Sequence, residues 1–167
     1  MQISTAGRNF IGKPPNEGCK LFPYICPAGK PTIGYGHRIS EAEFKLYEKN
    51  GISQAQAEDW FTQDLNNAVA TVQSLVRVPL RQPQIDALTS FVFNCGQQAF
   101  KNSTLLRHVN NRKMQAAALE FTRWCHDDNG KTIPGLLNRR KKEAVMFLSS
   151  LPPTSPIKAP QPPLKGK

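Results

Sequence analysis

Glu17 heads the run EGCKLFPYICPAGKPTIGYGH, and no second Asp or Glu occurs between residues 18 and 40. A single acid beside a backbone rich in glycine and proline has the local look of a cleft wall. Its chemistry there would be proton delivery. Breaking an acetal such as a glycosidic bond needs a proton on the leaving oxygen, and a partly buried carboxyl keeps its proton because desolvation disfavours the charged form. The other half of such a reaction positions or activates water on the opposite face of the sugar, roughly 6.5 to 9.5 Å from the acid when the anomeric centre inverts. Cys26, Thr32 and His37 are the residues at hand. A threonine hydroxyl can hold a water, and a cysteine can accept a proton as its thiolate. Each has a plainer use: Glu17 as a solvated acid, Cys26 as a small apolar turn residue, His37 as a hydrogen-bonding residue at a strand end. For Cys26 and His37 the plainer use is the first expectation from pattern alone.

These residues must be held by short elements. Residues 4–11 carry a brief helical signal that stops at Gly12 and Pro14-Pro15, since proline lacks a donor and restricts the residue before it. Glu17 then lies just past a helix end. From Leu21 to Ile39, short aromatic runs broken by Pro23, Pro27, Gly29, Pro31, Gly34 and Gly36 predict a small hairpin or meander. Downstream the period changes. Ser53 and Gln56 can form a capping box ahead of Ala57, Trp60, Phe61, Leu65, Ala68, Val69, Val72 and Leu75, whose spacings of three and four predict a long amphipathic helix over 53–76. Pro79 and Pro83 break it. IDALTSFVFNCG, apolar on nearly all sides, predicts a central buried helix ending at Gly96. Helices are also expected over 103–110 and 113–124, the latter with Met114, Ala117, Ala118, Phe121 and Trp124 inward. A turn follows at Asp127-Asp128-Asn129-Gly130. The last helix runs from about Pro134, with Leu136, Leu137, Ala144, Met146, Phe147 and Leu148 available for packing.

The fold expected is α+β, a small N-terminal β-hairpin lobe against a mainly helical lobe. Residues 1–151 are expected to form one domain. Residues 152–167, rich in proline and carrying three lysines, are expected to be an extended, poorly ordered basic tail. The net charge of +10 predicts fast, salt-sensitive association with a polyanion or anionic surface. No window approaches the roughly 18 apolar residues of a membrane span, and the N-terminus lacks a basic head with an apolar run. The chain is therefore expected to be made in the cytosol. Cys19, Cys26, Cys95 and Cys125 are too few and scattered for a disulfide framework and read as thiols. Neither a metal nor an organic cofactor is implied, CxxC being absent and a Cys19, Cys125, His126 cluster carrying little weight.

EGxxL at 17–21, Tyr24, CPAG at 26–29 and TIGYGH at 32–37 together resemble the phage endolysins of the T4-type lysozyme family, glycoside hydrolase family 24. FVFNCGQQAFKNSTLLRHVN at 91–110 and the Phe121–Trp124 block with PGLLNRRKKEAVMFL resemble two further runs of that family. The resemblance spans about residues 3–150. It implies a lysozyme-like fold and a catalytic set of Glu, Asp and Thr, onto whose positions Glu17, Cys26 and Thr32 fall. Cys26 replaces the usual Asp, and Pro14-Pro15 interrupt a helix that in the family runs straight toward the acid, which is expected to shift Glu17 and blunt activity. For Asn94, Cys95, Ser103 and Thr104, core packing and capping are the first explanation.

The resemblance implies a muramidase that hydrolyses the β-1,4 bond between N-acetylmuramic acid and N-acetylglucosamine in peptidoglycan, for host cell lysis. Glu17 would protonate the leaving oxygen while Thr32 and Cys26 guide water. The partners expected are peptidoglycan and, through the basic surface, the anionic cell envelope, with the chain acting as a monomer. It would accumulate in the host cytoplasm and reach the wall through a holin. The alternative is a non-catalytic peptidoglycan-binding protein on the same fold. Nucleic-acid binding rests on charge alone, without interleaved aromatic stacking positions or a reading helix.

Overall fold

A computed structural model describes residues 1–26, 29–127 and 129–149. Pro27 and Ala28 of the CPAG run, Asp128 of the expected turn, and the whole of the expected tail lie outside the described residues. Ser4 caps helix α1 (Thr5–Gly12), its side chain accepting from the Gly7 N–H. A three-stranded antiparallel sheet follows, β1 (Lys20–Ile25), β2 (Pro31–Gly34) and β3 (His37–Arg38), in the order β1-β2-β3. The register sets Tyr24 opposite Thr32 and Thr32 opposite Arg38.

Helix α2 (Glu41–Tyr47) has no counterpart in the sequence reading. Ser40 and Glu43 close a full capping box at its start, and none of its residues is buried, so it lacks the apolar stripe by which helices are recognised. The long helix α3 (Gln54–Leu75) begins at the expected cap, with the Ser53 side chain accepting from the Gln56 N–H. α4 (Gln82–Cys95) starts three residues ahead of the apolar run, because Pro83 sits in its first turn, where proline's missing donor costs nothing. α5 (Gln97–Lys101) was also unexpected; it follows α4 directly across Gly96 and buries Phe100. α6 (Thr104–Asn110), α7 (Met114–Glu120) with a 3₁₀ turn at Phe121–Arg123, and α8 (Pro134–Leu148) complete the helical lobe.

The core centres on α4. Phe91 is fully buried and meets Phe121 and Trp124 edge-on and Phe100 at a tilt. Around it pack Leu88, Leu105, Val109, Ala117 and Phe147. A second cluster of Ile11, Phe61 and Leu65 joins α1 to α3, and Tyr35 stacks on Phe61 at 4.6 Å to bring the sheet against it. α8 departs from expectation: Phe147 is buried as its spacing suggested, but the rest of its fully buried face is Arg139, Arg140 and Glu143.

Candidate active site

Glu17 is delivered by the turn that ends α1. The Asn16 N–H donates to the Lys13 carbonyl at 3.1 Å and the Glu17 N–H to the Ile11 carbonyl at 3.2 Å, so the segment holding Pro14 and Pro15 folds back on the helix end. The expected shift of Glu17 by the two prolines does not carry it out of the fold. Its carboxylate meets Arg139 of α8, whose Nη1 donates to Oε1 at 2.7 Å, with the two side chains only 16% and 3% exposed. On the other side lies Gly36. A Cβ there would sit 2.9 Å from Glu17 Oε2, and the backbone has φ +86°, so glycine is required both for space and for conformation.

Cys26 and Thr32 meet at one carbonyl. The Cys26 N–H donates to Lys30 O at 3.0 Å, and Thr32 Oγ1 donates to the same oxygen at 2.9 Å. Thr32 is buried, and its only hydroxyl proton is used, so toward a water it can act only as an acceptor. Tyr24 links this hairpin to the acid. Its phenol is pushed up to about 12, by burial first and then by the negative charges of Glu17 and Cys26, which places both groups within electrostatic reach of one ring.

His37 has the structural position that pattern favoured. Its Nδ1 lies 2.8 Å from Asp64 Oδ2 and its ring stacks on Trp60 at 4.7 Å, tying β3 to α3. Between these parts runs a cleft of about 360 Å³, lined on the sheet side by Gly36, His37 and Arg38 and on the helical side by residues including Asp64, Asn94 and Gln97. Gly36 thus faces the cleft and the Glu17 carboxylate together. The amide, imidazole and charged groups of this lining suit a hydroxylated ligand such as a sugar.

The residue in contact with Glu17 that sequence reasoning missed is Arg139. It lies in the PGLLNRRKKEAVMFL run whose resemblance to the family assigned it no role, and a second signal is that residues 139, 143 and 147 recur at helical spacing with the buried Phe147. Behind it lies Glu143. Burial pushes that carboxyl up, against the pull of Arg140 and Arg139. All four cysteines are thiols. Cys125 approaches His126 at 3.8 Å while Cys19 sits against Gln54, and among the described residues no three metal-binding side chains converge. No described helix is long and apolar enough to cross a membrane.

The phage lysozyme family model matches residues 15–143. The endolysin of Acyrthosiphon pisum secondary endosymbiont phage 1 is 39% identical over 153 residues, covering 90% of this chain and all of that one. The endolysin of Salmonella phage P22 is 39% identical over 149 residues, 89% of this chain and 99% of that one. Among solved structures, the muramidase domain of SpmX from Asticaccaulis excentricus superposes with a TM-score of 0.74 at 35% identity, over 88% of this chain and 97% of that one.

Proposed function

The chain belongs to the phage lysozyme family and is a peptidoglycan-hydrolysing lysozyme, and we propose that Glu17, Cys26 and Thr32 carry its reaction in the manner of glycoside hydrolase family 24. The bond broken is the β-1,4 link between N-acetylmuramic acid and N-acetylglucosamine. The observation that carries the assignment is the Glu17 carboxylate held between Arg139 and Gly36 at the edge of a polar cleft. With Oε1 taken by Arg139, Oε2 is the oxygen that delivers the proton to the leaving group, into the space that a side chain at position 36 would fill. Water approaches the opposite face of the sugar and donates one hydrogen bond to Thr32 Oγ1. The Cys26 thiolate takes its other proton, in the place where the family has a carboxylate.

The chain is further read as a monomer that accumulates in the host cytoplasm, passes a holin and is held on the anionic envelope by its +10 charge rather than by nucleic acid. The test is mass analysis of purified peptidoglycan digested by the wild type, Glu17→Gln, Cys26→Ser and Cys26→Asp across a range of pH. Glu17→Gln is expected to lose about a hundredfold to ten-thousandfold in rate while still binding the wall. Activity within about threefold of wild type would refute the acid's role. Cys26→Asp is expected to match or exceed the wild type, because a carboxylate stays ionised across the neutral range. If Cys26→Ser keeps more than about a third of the rate with the same pH profile, Cys26 is only a wall of the site and Thr32 alone holds the water.

A further inference from the structure

Arg139 is held from behind by a residue that the reaction above does not use. Glu143 lies one helical turn further along α8 and is fully buried. Its Oε1 accepts from Arg139 Nε at 3.2 Å and from Ser90 Oγ of α4 at 2.6 Å. Ser90 then accepts from Arg139 Nη2, at 3.3 Å through its hydroxyl and 3.4 Å through its carbonyl. Two nitrogens of a rigid planar fork are thereby fixed, and the direction of the third, Nη1, follows. That third nitrogen is the one on Glu17, at 2.7 Å.

The other oxygen of Glu143 faces Arg140. Oε2 stands 3.1 Å from Arg140 Nε in an ion pair that lacks hydrogen-bond geometry. Arg140 donates onward to Asn94 Oδ1 at 3.0 Å and Cys95 Sγ at 3.2 Å, both of which line the cleft. Stability does not by itself account for such a cluster, since replacing a buried ion network with apolar side chains is often neutral or stabilising.

We propose that Glu143 is a positioning residue for hydrolysis, aiming Arg139 at Glu17 together with Ser90 and tying that aim, through Arg140, to the cleft wall at Asn94 and Cys95. The proposal rests on reading Glu17 as the acid. Its action is indirect, so its effect must disappear when Arg139 is gone.

The test is a double-mutant cycle of Glu143→Gln and Arg139→Gln, with kcat and KM measured on solubilised peptidoglycan strands at a temperature where circular dichroism shows every variant folded, alongside crystal structures of wild type and Glu143→Gln. In the wild-type background Glu143→Gln is expected to lower kcat on the order of ten- to a hundredfold, the scale of a misplaced catalytic group, with KM within about twofold. In the Arg139→Gln background the same change is expected to alter kcat by less than about twofold. The crystal structure should show Nη1 beyond hydrogen-bond distance of Glu17. An unchanged kcat, a loss that persists in full without Arg139, or an undisturbed contact between Arg139 and Glu17 would each overturn the proposal. If Glu143→Gln does not fold, the double variant Glu143→Met, Arg140→Met removes one charge of each sign and takes its place under the same criteria. Should Glu17→Gln itself prove active, the acid assignment fails, while the Arg139 to Glu17 distance in the variant crystal still decides the positioning claim.

Discussion

At the scale of residues, Tyr24 reports on the site without any substrate. Its phenol is raised from 10.0 to about 12 by burial, Glu17 and Cys26 in that order. A raised phenol makes the folded state hold its proton more tightly than the unfolded chain does, so this contribution to stability is complete below about pH 10 and is lost as pH rises through about 12. With Tyr35 and Tyr47 changed to Phe, tyrosinate absorbance follows Tyr24 alone, the chain having three tyrosines. The midpoint is expected near 12 in that background and lower when Glu17→Gln or Cys26→Ser is added. A midpoint that neither substitution moves would place Tyr24 apart from both groups. The same scale explains what could be read beforehand: Glu17, Cys26 and Thr32 are close in the chain and stand in a recognisable spacing, whereas Arg139 lies 122 residues from the acid it binds.

At the scale of elements, α4 is the support on which the site rests. It carries Phe91 into the aromatic core and, on the preceding residue, Ser90 toward Arg139. Truncating Phe91 leaves a cavity among rings that cannot all collapse, so Phe91→Ala is expected to cost about 3–5 kcal/mol. At roughly 2–4 °C per kcal/mol for a domain of this size, thermal unfolding should fall by about 6–20 °C. A decrease under about 3 °C would show that the core repacks around the gap. α4 was legible because its apolar residues recur on nearly every side up to Gly96. α2 was not, being a short helix held by its Ser40 and Glu43 caps with no buried residue, and α5 was hidden because five residues are too few to show a period.

At the scale of the molecule, the excess of 22 basic over 12 acidic residues sets how the protein meets an anionic wall. Residues 152–167 contribute three of those lysines and no acid. Deleting them is expected to weaken adsorption to purified wall at low ionic strength, with the difference fading as salt approaches the range where the Debye length falls below about 8 Å. The melting temperature is expected to change by less than about 5 °C. A larger drop would mean that this segment packs on the body, and adsorption equal to that of the full chain at every salt concentration would remove the tail from wall binding.

By itself, the sequence determined the small sheet ahead of a helical lobe, the caps at Ser53 and Ser103 and the aromatic core, because each depends on neighbours within a few positions or on a period of fixed length, while Glu17, Cys26 and Thr32 were named through their resemblance to a family pattern. The tertiary structure alone decided the environment of the acid. Along the chain, nothing pairs Glu17 with Arg139 or marks the charges of RRKKE as buried. Only the packing of α8 on α4 turns Arg139, Arg140 and Glu143 inward, and only the fold-back after Gly12 brings Glu17 to meet Arg139. Charges carry no period of their own that distinguishes burial from exposure, so their pairing is settled when the helices that bear them are packed.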